Sequence, residues 1–160
     1  MELPVDADRL KTDIEANAAF GAIEFDDPAK RGRTNRTGSE ANRRARDRLL
    51  ERLEDAGLSV RVDAVGNIVG EWVPEGADPD AAPVACGSHL DSVPEGGIFD
   101  GPLVVYAALE SVRAIQDAGV EPARPVIVVC FTEEEGATYG TGLLGSSVAI
   151  GETSVEEALA

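Results

Sequence analysis

The chain's one histidine, His89, lies in the run Gly87-Ser88-His89-Leu90-Asp91-Ser92. Asp91 follows it by two residues, a reach at which a carboxylate can hold one imidazole nitrogen and leave the other for a metal. Asp100 stands in a glycine-rich bend that opens a helix, where a carboxylate is favoured by the helix N-terminus. A second polar cluster, Thr132-Glu133-Glu134-Glu135-Gly136, follows the apolar run VIVVCF. Like charges crowded there repel, raising one carboxyl pKa or recruiting a cation. Carboxylates with one imidazole suit zinc, manganese or cobalt better than calcium. Such an ion brings the pKa of water toward neutrality, and a nearby carboxylate can take the proton. A lone histidine is more often a satisfied structural residue, and a run of glutamates more often a solvated face. What favours a hydrolase site is that both clusters directly follow strand-like apolar runs.

Those runs, PVACGSHL and PVIVVCFT, read as strands buried on both faces, separated by a helix over about 103–118. A connection of that length predicts a right-handed parallel crossover. It brings the two polar clusters to the same sheet edge, where functional groups gather in α/β folds. Upstream, Asp6 or Asp8 caps a helix whose apolar face carries Leu10, Ile14 and Ala18. Residues 26–38 are loop-like, with Pro28, Gly32 and Gly38 as breakers. A second helix over about 39–56 carries Ala41, Ala45, Leu49 and Leu53, with Gly57 at its left-handed end. LSVRVDAVGNIVGEW reads as a hairpin broken at Gly66-Asn67, residues 74–82 as an acidic loop, and 143–150 as a last helix. The predicted fold class is α/β, an αβα sandwich with a mostly parallel sheet.

Composition narrows the function. The 160 residues carry 30 acids against 14 bases, a net charge of −16, and Lys11 and Lys30 are the only lysines. That balance disfavours nucleic acid, whose phosphates need cations. It suits high salt, which screens self-repulsion, so a halophilic cytosol is the expected setting. Five arginines between Arg43 and Arg52 read as a solvated face paired with Glu51, Glu54 and Asp55 rather than an anion patch. No apolar run is long enough to span a membrane, the first nine residues lack a signal-peptide pattern, and the expected location is the cytoplasm. Cys86 and Cys130, each within an apolar run, are expected to be free buried thiols without metal roles. Cys86, three residues before His89, faces the other side of a regular strand.

The segments GSHLDSVPEGGIFDGPL and FTEEEGATYGTGLLGS together resemble the N-carbamoyl-L-amino-acid hydrolase and allantoate amidohydrolase family, part of the dinuclear-metal aminopeptidase and aminoacylase superfamily. The upstream R-x-T-x-R-like turn, the helix ending DAGL and the VDAVGNIVG pair are similar too, so the resemblance covers nearly the whole chain. It implies a zinc-peptidase-like catalytic domain and a two-metal amidase acting on a small carbamoyl or ureido substrate. His89 would bind one metal, Asp100 bridge both, and Glu135 bind the second, the ions being zinc, manganese or cobalt. Glu134 would be the general base, Asp91 would orient His89, and Glu133 would be a support residue.

The family completes its metal shell with two further histidines and dimerises through a smaller lid domain. This chain has neither, and it reads as the N-terminal part, under half, of such an enzyme. Val104 stands where the family has glycine, adding bulk where helix and strand pack closely. Thr138 and Ser147 each stand where arginine is common. Three readings follow: an active amidohydrolase completed by further chain, a non-catalytic remnant, or an acidic binding module. One histidine and two carboxylates cannot fill two metal shells, so the 160 residues alone are expected to hydrolyse carbamoyl amino acids negligibly.

Overall fold

A computed structural model describes residues 3–27 and 29–160. Helix α1, Ala7–Ala18, begins at Asp6, whose carboxylate accepts the Arg9 N–H at 2.9 Å, so Asp6 rather than Asp8 is the cap. Strands β1 (Ala22–Ile23) and β2 (Gly32–Arg33) precede helix α2, Glu40–Asp55. Ser39 caps α2 through the Asn42 N–H, and Gly57 takes the positive φ that ends it. Strands β3 (Ser59–Val62) and β4 (Ile68–Trp72) form the expected hairpin around Gly66-Asn67. Then follow β5 (Val84–His89), β6 (Gly96–Gly97), α3 (Pro102–Asp117), β7 (Val126–Phe131), α4 (Leu144–Ala149) and α5 (Val155–Ala158).

The main sheet has the order β3-β4-β7-β5. β5 and β7 pair in parallel, with His89 beside Phe131, and α3 makes the crossover between them. The chain is α/β as expected, but the sheet is mixed, and α2 and α3 pack into a single core on it. The tight turn at 63–67 reverses the chain, so β4 runs antiparallel to β3 and also to β7. Ile68, Val128 and Cys130 share one core with Ala45, Leu49 and Leu53 of α2 and Val105, Tyr106 and Leu109 of α3. Leu49 and Leu53 are fully buried, and each stabilises the fold by about 2 kcal/mol.

Buried charges stitch the helices. Asp13 on α1 receives Arg48 of α2 at 2.9 Å and Arg113 of α3 at 2.7 Å. Glu110 of α3 is 1 % exposed and pairs with Arg9 at 2.7 Å. The arginines of α2 were expected to form a solvated face paired with Glu51, Glu54 and Asp55; of those partners only Asp55 is used among the described residues, and Arg48 turns inward to Asp13. Arg43 pairs with Glu40 and Arg52 with Asp55; Arg44 lies 5.4 Å from the Phe20 ring centre, and Arg46 donates to the Gly66 carbonyl. Among the described residues Glu51 and Glu54 form no ion pair.

Three expectations need correction. Among the described residues β5 pairs with β7 alone, and its apolar start is not buried on both faces: Val84 is 53 % exposed and Cys86 is exposed, whereas Cys130 is buried as expected. Burial pushes the Cys130 thiol up to about 12, and both cysteines are free. Val104 is 44 % exposed, so its bulk meets no tight packing. The loop-like stretch before α2 contains β2, which joins β1 and β6 in a small second sheet; two-residue strands leave no periodicity to read. Pro28 lies outside the described residues.

Candidate metal centre

Parallel pairing of β5 with β7 sets the ends of both strands side by side, and each polar cluster starts there. His89 is the last residue of β5 and is 4 % exposed. Its Nδ1 lies 3.1 Å from the Asp91 carbonyl and 3.4 Å from Asp91 Oδ1. Two acceptors on that side favour the Nδ1–H tautomer and leave the Nε2 lone pair outward. Nε2 faces Glu134 Oε2 at 3.4 Å and Asp100 Oδ1 at 3.9 Å. His89, Glu134 and Glu135 each offer a ligand atom, all within 4.8 Å of one another. Asp100, whose side chain is 71 % exposed, stands at the rim of that trio.

The bend after Asp100 depends on a glycine. Gly101 has φ +78, and a Cβ there would come within 2.8 Å of His89 Nδ1. Only a residue without a side chain lets this turn pass against the imidazole.

Asp91, 2 % exposed, links the two clusters. Besides facing His89, it accepts the Glu135 backbone N–H on Oδ2 at 3.1 Å. Burial works against its charge, but the hydrogen bond with His89 and those from the Glu135 and Glu134 backbone outweigh it, so its pKa lies below the usual value. His89 responds in mirror image. Burial disfavours its charged form, yet Asp91 and the charge of Glu134 prevail and raise it. Burial, followed by the charge of Asp100, raises Glu135. Burial rather than crowding within the glutamate run leads that shift.

Glu133 is fully buried at φ +54, and its Oε1 accepts the backbone N–H groups of Thr138 and Tyr139 at 2.7 and 2.8 Å. It folds the glutamate loop back on itself. Two residues outside the sequence-derived set support the site. Asn67 accepts the Thr132 N–H at 2.9 Å and donates to the Asp63 carboxylate and the Gly145 carbonyl, fastening the β7 end to the hairpin turn. Arg33, fully buried, donates to the carbonyls of Leu90, Asp91 and Asp100. Asn67 was visible in the sequence only as a turn residue, and Arg33 only as part of the R-x-T-x-R-like turn.

The profile described as "Peptidase family M28" matches residues 67–158, more than half of the chain and the part that carries both clusters. The chain belongs to peptidase family M28. Within that setting the resemblance drawn from the two motifs holds. An N-carbamoyl-L-amino acid amidohydrolase of Geobacillus stearothermophilus is 45 % identical over 120 residues, covering 75 % of this chain and 29 % of the relative. A ureidoglycolate hydrolase of Arabidopsis thaliana is 34 % identical over 157 residues, 98 % of this chain and 32 % of the relative. The crystal structure of a hydantoinase/carbamoylase family amidase from Burkholderia ambifaria superposes with a TM-score of 0.90 at 41 % identity, covering 99 % of this chain and 38 % of that one. The chain therefore spans about a third of the length of the relatives it matches. Among its described residues no helix is long and apolar enough to cross a membrane.

Proposed function

We propose that this chain is the metal-gripping portion of an amidohydrolase that cleaves non-peptide C–N bonds in small carbamoyl or ureido compounds: N-carbamoyl-L-amino acids, ureidopropionate or allantoate. The observation that carries this reading is the convergence of His89, Glu134 and Glu135 at the ends of two parallel strands, in a chain whose relatives bear amidohydrolase names. The donors suit zinc, manganese or cobalt: a neutral imidazole with its other nitrogen held, and carboxylates on the open side. When bound, such an ion supplies Lewis acidity and acidifies water.

Two ions are the proposed complement, and His89, Asp100 and Glu135 would be the residues that hold them. Glu134, one-third exposed and 3.4 Å from Nε2, is the base that takes a proton from the attacking water and returns it to the leaving nitrogen. Asp91 keeps the imidazole in its tautomer and carries no proton of the reaction. The substrate site, the lid and the dimer contact of the family are assigned to parts outside these 160 residues, and a cytoplasmic, salt-adapted setting is part of the same proposal.

A second reading is a catalytically incompetent remnant, since these 160 residues hold a single imidazole, His89, toward two metal shells. Both readings expect the 160-residue chain alone to bind about one ion and to leave carbamoyl substrates intact. A Co2+ titration should show that binding, and His89→Gln or Glu135→Gln should remove it; a chain that takes up no ion overturns the metal assignment. Fusing residues 1–160 to the downstream two-thirds of the Geobacillus relative should restore hydrolysis that Glu134→Gln abolishes. A fusion that folds and binds metal but stays inactive selects the remnant. Turnover by the isolated chain at a full-length rate overturns the division of labour.

A further inference from the structure

A buried cation usually has an anion against it, because removing a charge from water costs several kcal/mol. Arg33 departs from that rule. Its side chain is fully buried in β2, and among the described residues it forms no ion pair. Its donors go instead to three backbone carbonyls: Nη1 to Leu90 at 2.9 Å, and Nη2 to Asp91 at 3.3 Å and Asp100 at 3.2 Å. Leu90 and Asp91 follow His89 directly; Asp100 sits across the intervening loop and offers its carboxylate to the same Nε2.

The segment around Arg33 is zipped to the same loop. Asn35 donates its side-chain N–H to the Leu90 carbonyl at 2.8 Å, its backbone N–H donates to Ser92 Oγ at 2.9 Å, and the Ser92 N–H donates to the Asn35 carbonyl at 3.0 Å. A flat fork with fixed donor directions can hold carbonyls of two loops at once, which an ammonium on a flexible stem cannot reproduce. Because the guanidinium meets only carbonyls, it leaves every carboxylate of the site available.

We infer that Arg33 is a positioning residue for the metal centre: its guanidinium fixes the spacing between the His89–Asp91 turn and the Asp100 bend. This rests on the metal reading above and adds to it the residue that brings the rim ligand to the imidazole. A residue acting through the ligands changes the metal site even when the rest of the fold is intact, as outer partners of metal ligands do by about 10- to 100-fold in affinity.

The test is Co2+ binding to the 160-residue chain, followed by visible absorption, for wild type, Arg33→Lys and Leu53→Ala. The lysine keeps the charge and loses the fork. Leu53→Ala lowers thermal stability from the core without touching the site. Arg33→Lys should weaken Co2+ by about tenfold or more and alter the absorption bands. Leu53→Ala should leave affinity within about twofold despite its lower Tm. Wild-type affinity in Arg33→Lys, or equal weakening in Leu53→Ala, overturns the inference. If Arg33→Lys does not fold, or if wild type takes up no Co2+ and the metal reading itself fails, NMR of wild type decides the brace. One set of slowly exchanging guanidinium protons should show contacts to the Leu90 and Asp100 backbones; their absence overturns it.

Discussion

The Asp91 carboxylate accepts the backbone N–H of Glu135 at 3.1 Å across 44 residues of sequence. Its other oxygen faces His89. One buried side chain therefore sets the imidazole and fixes the start of the second ligand's loop. Asp91→Asn keeps the shape but turns part of the acceptor into an N–H facing an N–H. Co2+ or Zn2+ affinity should fall by about 10- to 100-fold, measured by titration calorimetry at constant pH. Unchanged affinity would show that Asp91 serves the fold alone.

The metal-free chain should lose stability as pH rises from neutrality. The folded pKa of His89 is raised above 6.5, so the native state holds that proton more tightly than the unfolded chain does. Its stabilisation is complete below 6.5 and disappears as pH climbs through the folded value. Glu135, also raised, acts in the same sense at lower pH. Asp91 is depressed below 3.8, so its contribution is present above that value and is lost as pH falls through its folded pKa. Urea melts in the presence of a chelator between pH 6 and 8.5 should show the midpoint falling, and His89→Gln should flatten the trend. A rising midpoint would mean that the sign is wrong.

Glu133 carries the glutamate loop on two backbone hydrogen bonds in a fully buried position. Glu133→Ala removes the charged acceptor of both N–H groups, a loss of about 3 kcal/mol. For a domain of this size that lowers Tm by roughly 6–12 °C. Differential scanning calorimetry measures it, and a shift below about 2 °C would place Glu133 outside the scaffold.

Sixteen excess negative charges on 160 residues oppose compaction. Raising KCl from 50 mM to 1 M shortens their reach from more than 10 Å to about 3 Å. Tm should rise by about 5 °C, equivalent to roughly 2 kcal/mol. A melt that ignores salt would remove the physical basis for reading this composition as salt-adapted.

The two acid-bearing strand ends were legible because a buried strand needs a run of apolar residues and the chemistry begins where that run stops. His89, Glu134 and Glu135 announce themselves in that way. The exposure of Cys86 was hidden, since an apolar run does not reveal how many neighbours its strand has. Arg33 was hidden for a different reason: inside a polar loop it looks like any solvated arginine, and only the folded chain brings Leu90 and Asp100 to it. Asn67 read as a turn former because its second role, receiving the Thr132 N–H, spans 65 residues. Local pattern located the polar clusters at the strand ends. The parts that hold them depend on contacts between distant segments.

The exposed start of β5 links two of these properties. Among the described residues β5 has one neighbour, β7, and Val84 and Cys86 on it are exposed. Mutual repulsion between copies is the guard on that surface. Screening that relieves repulsion within one molecule relieves it between molecules as well, so the salt that favours the fold also weakens the charge barrier between copies.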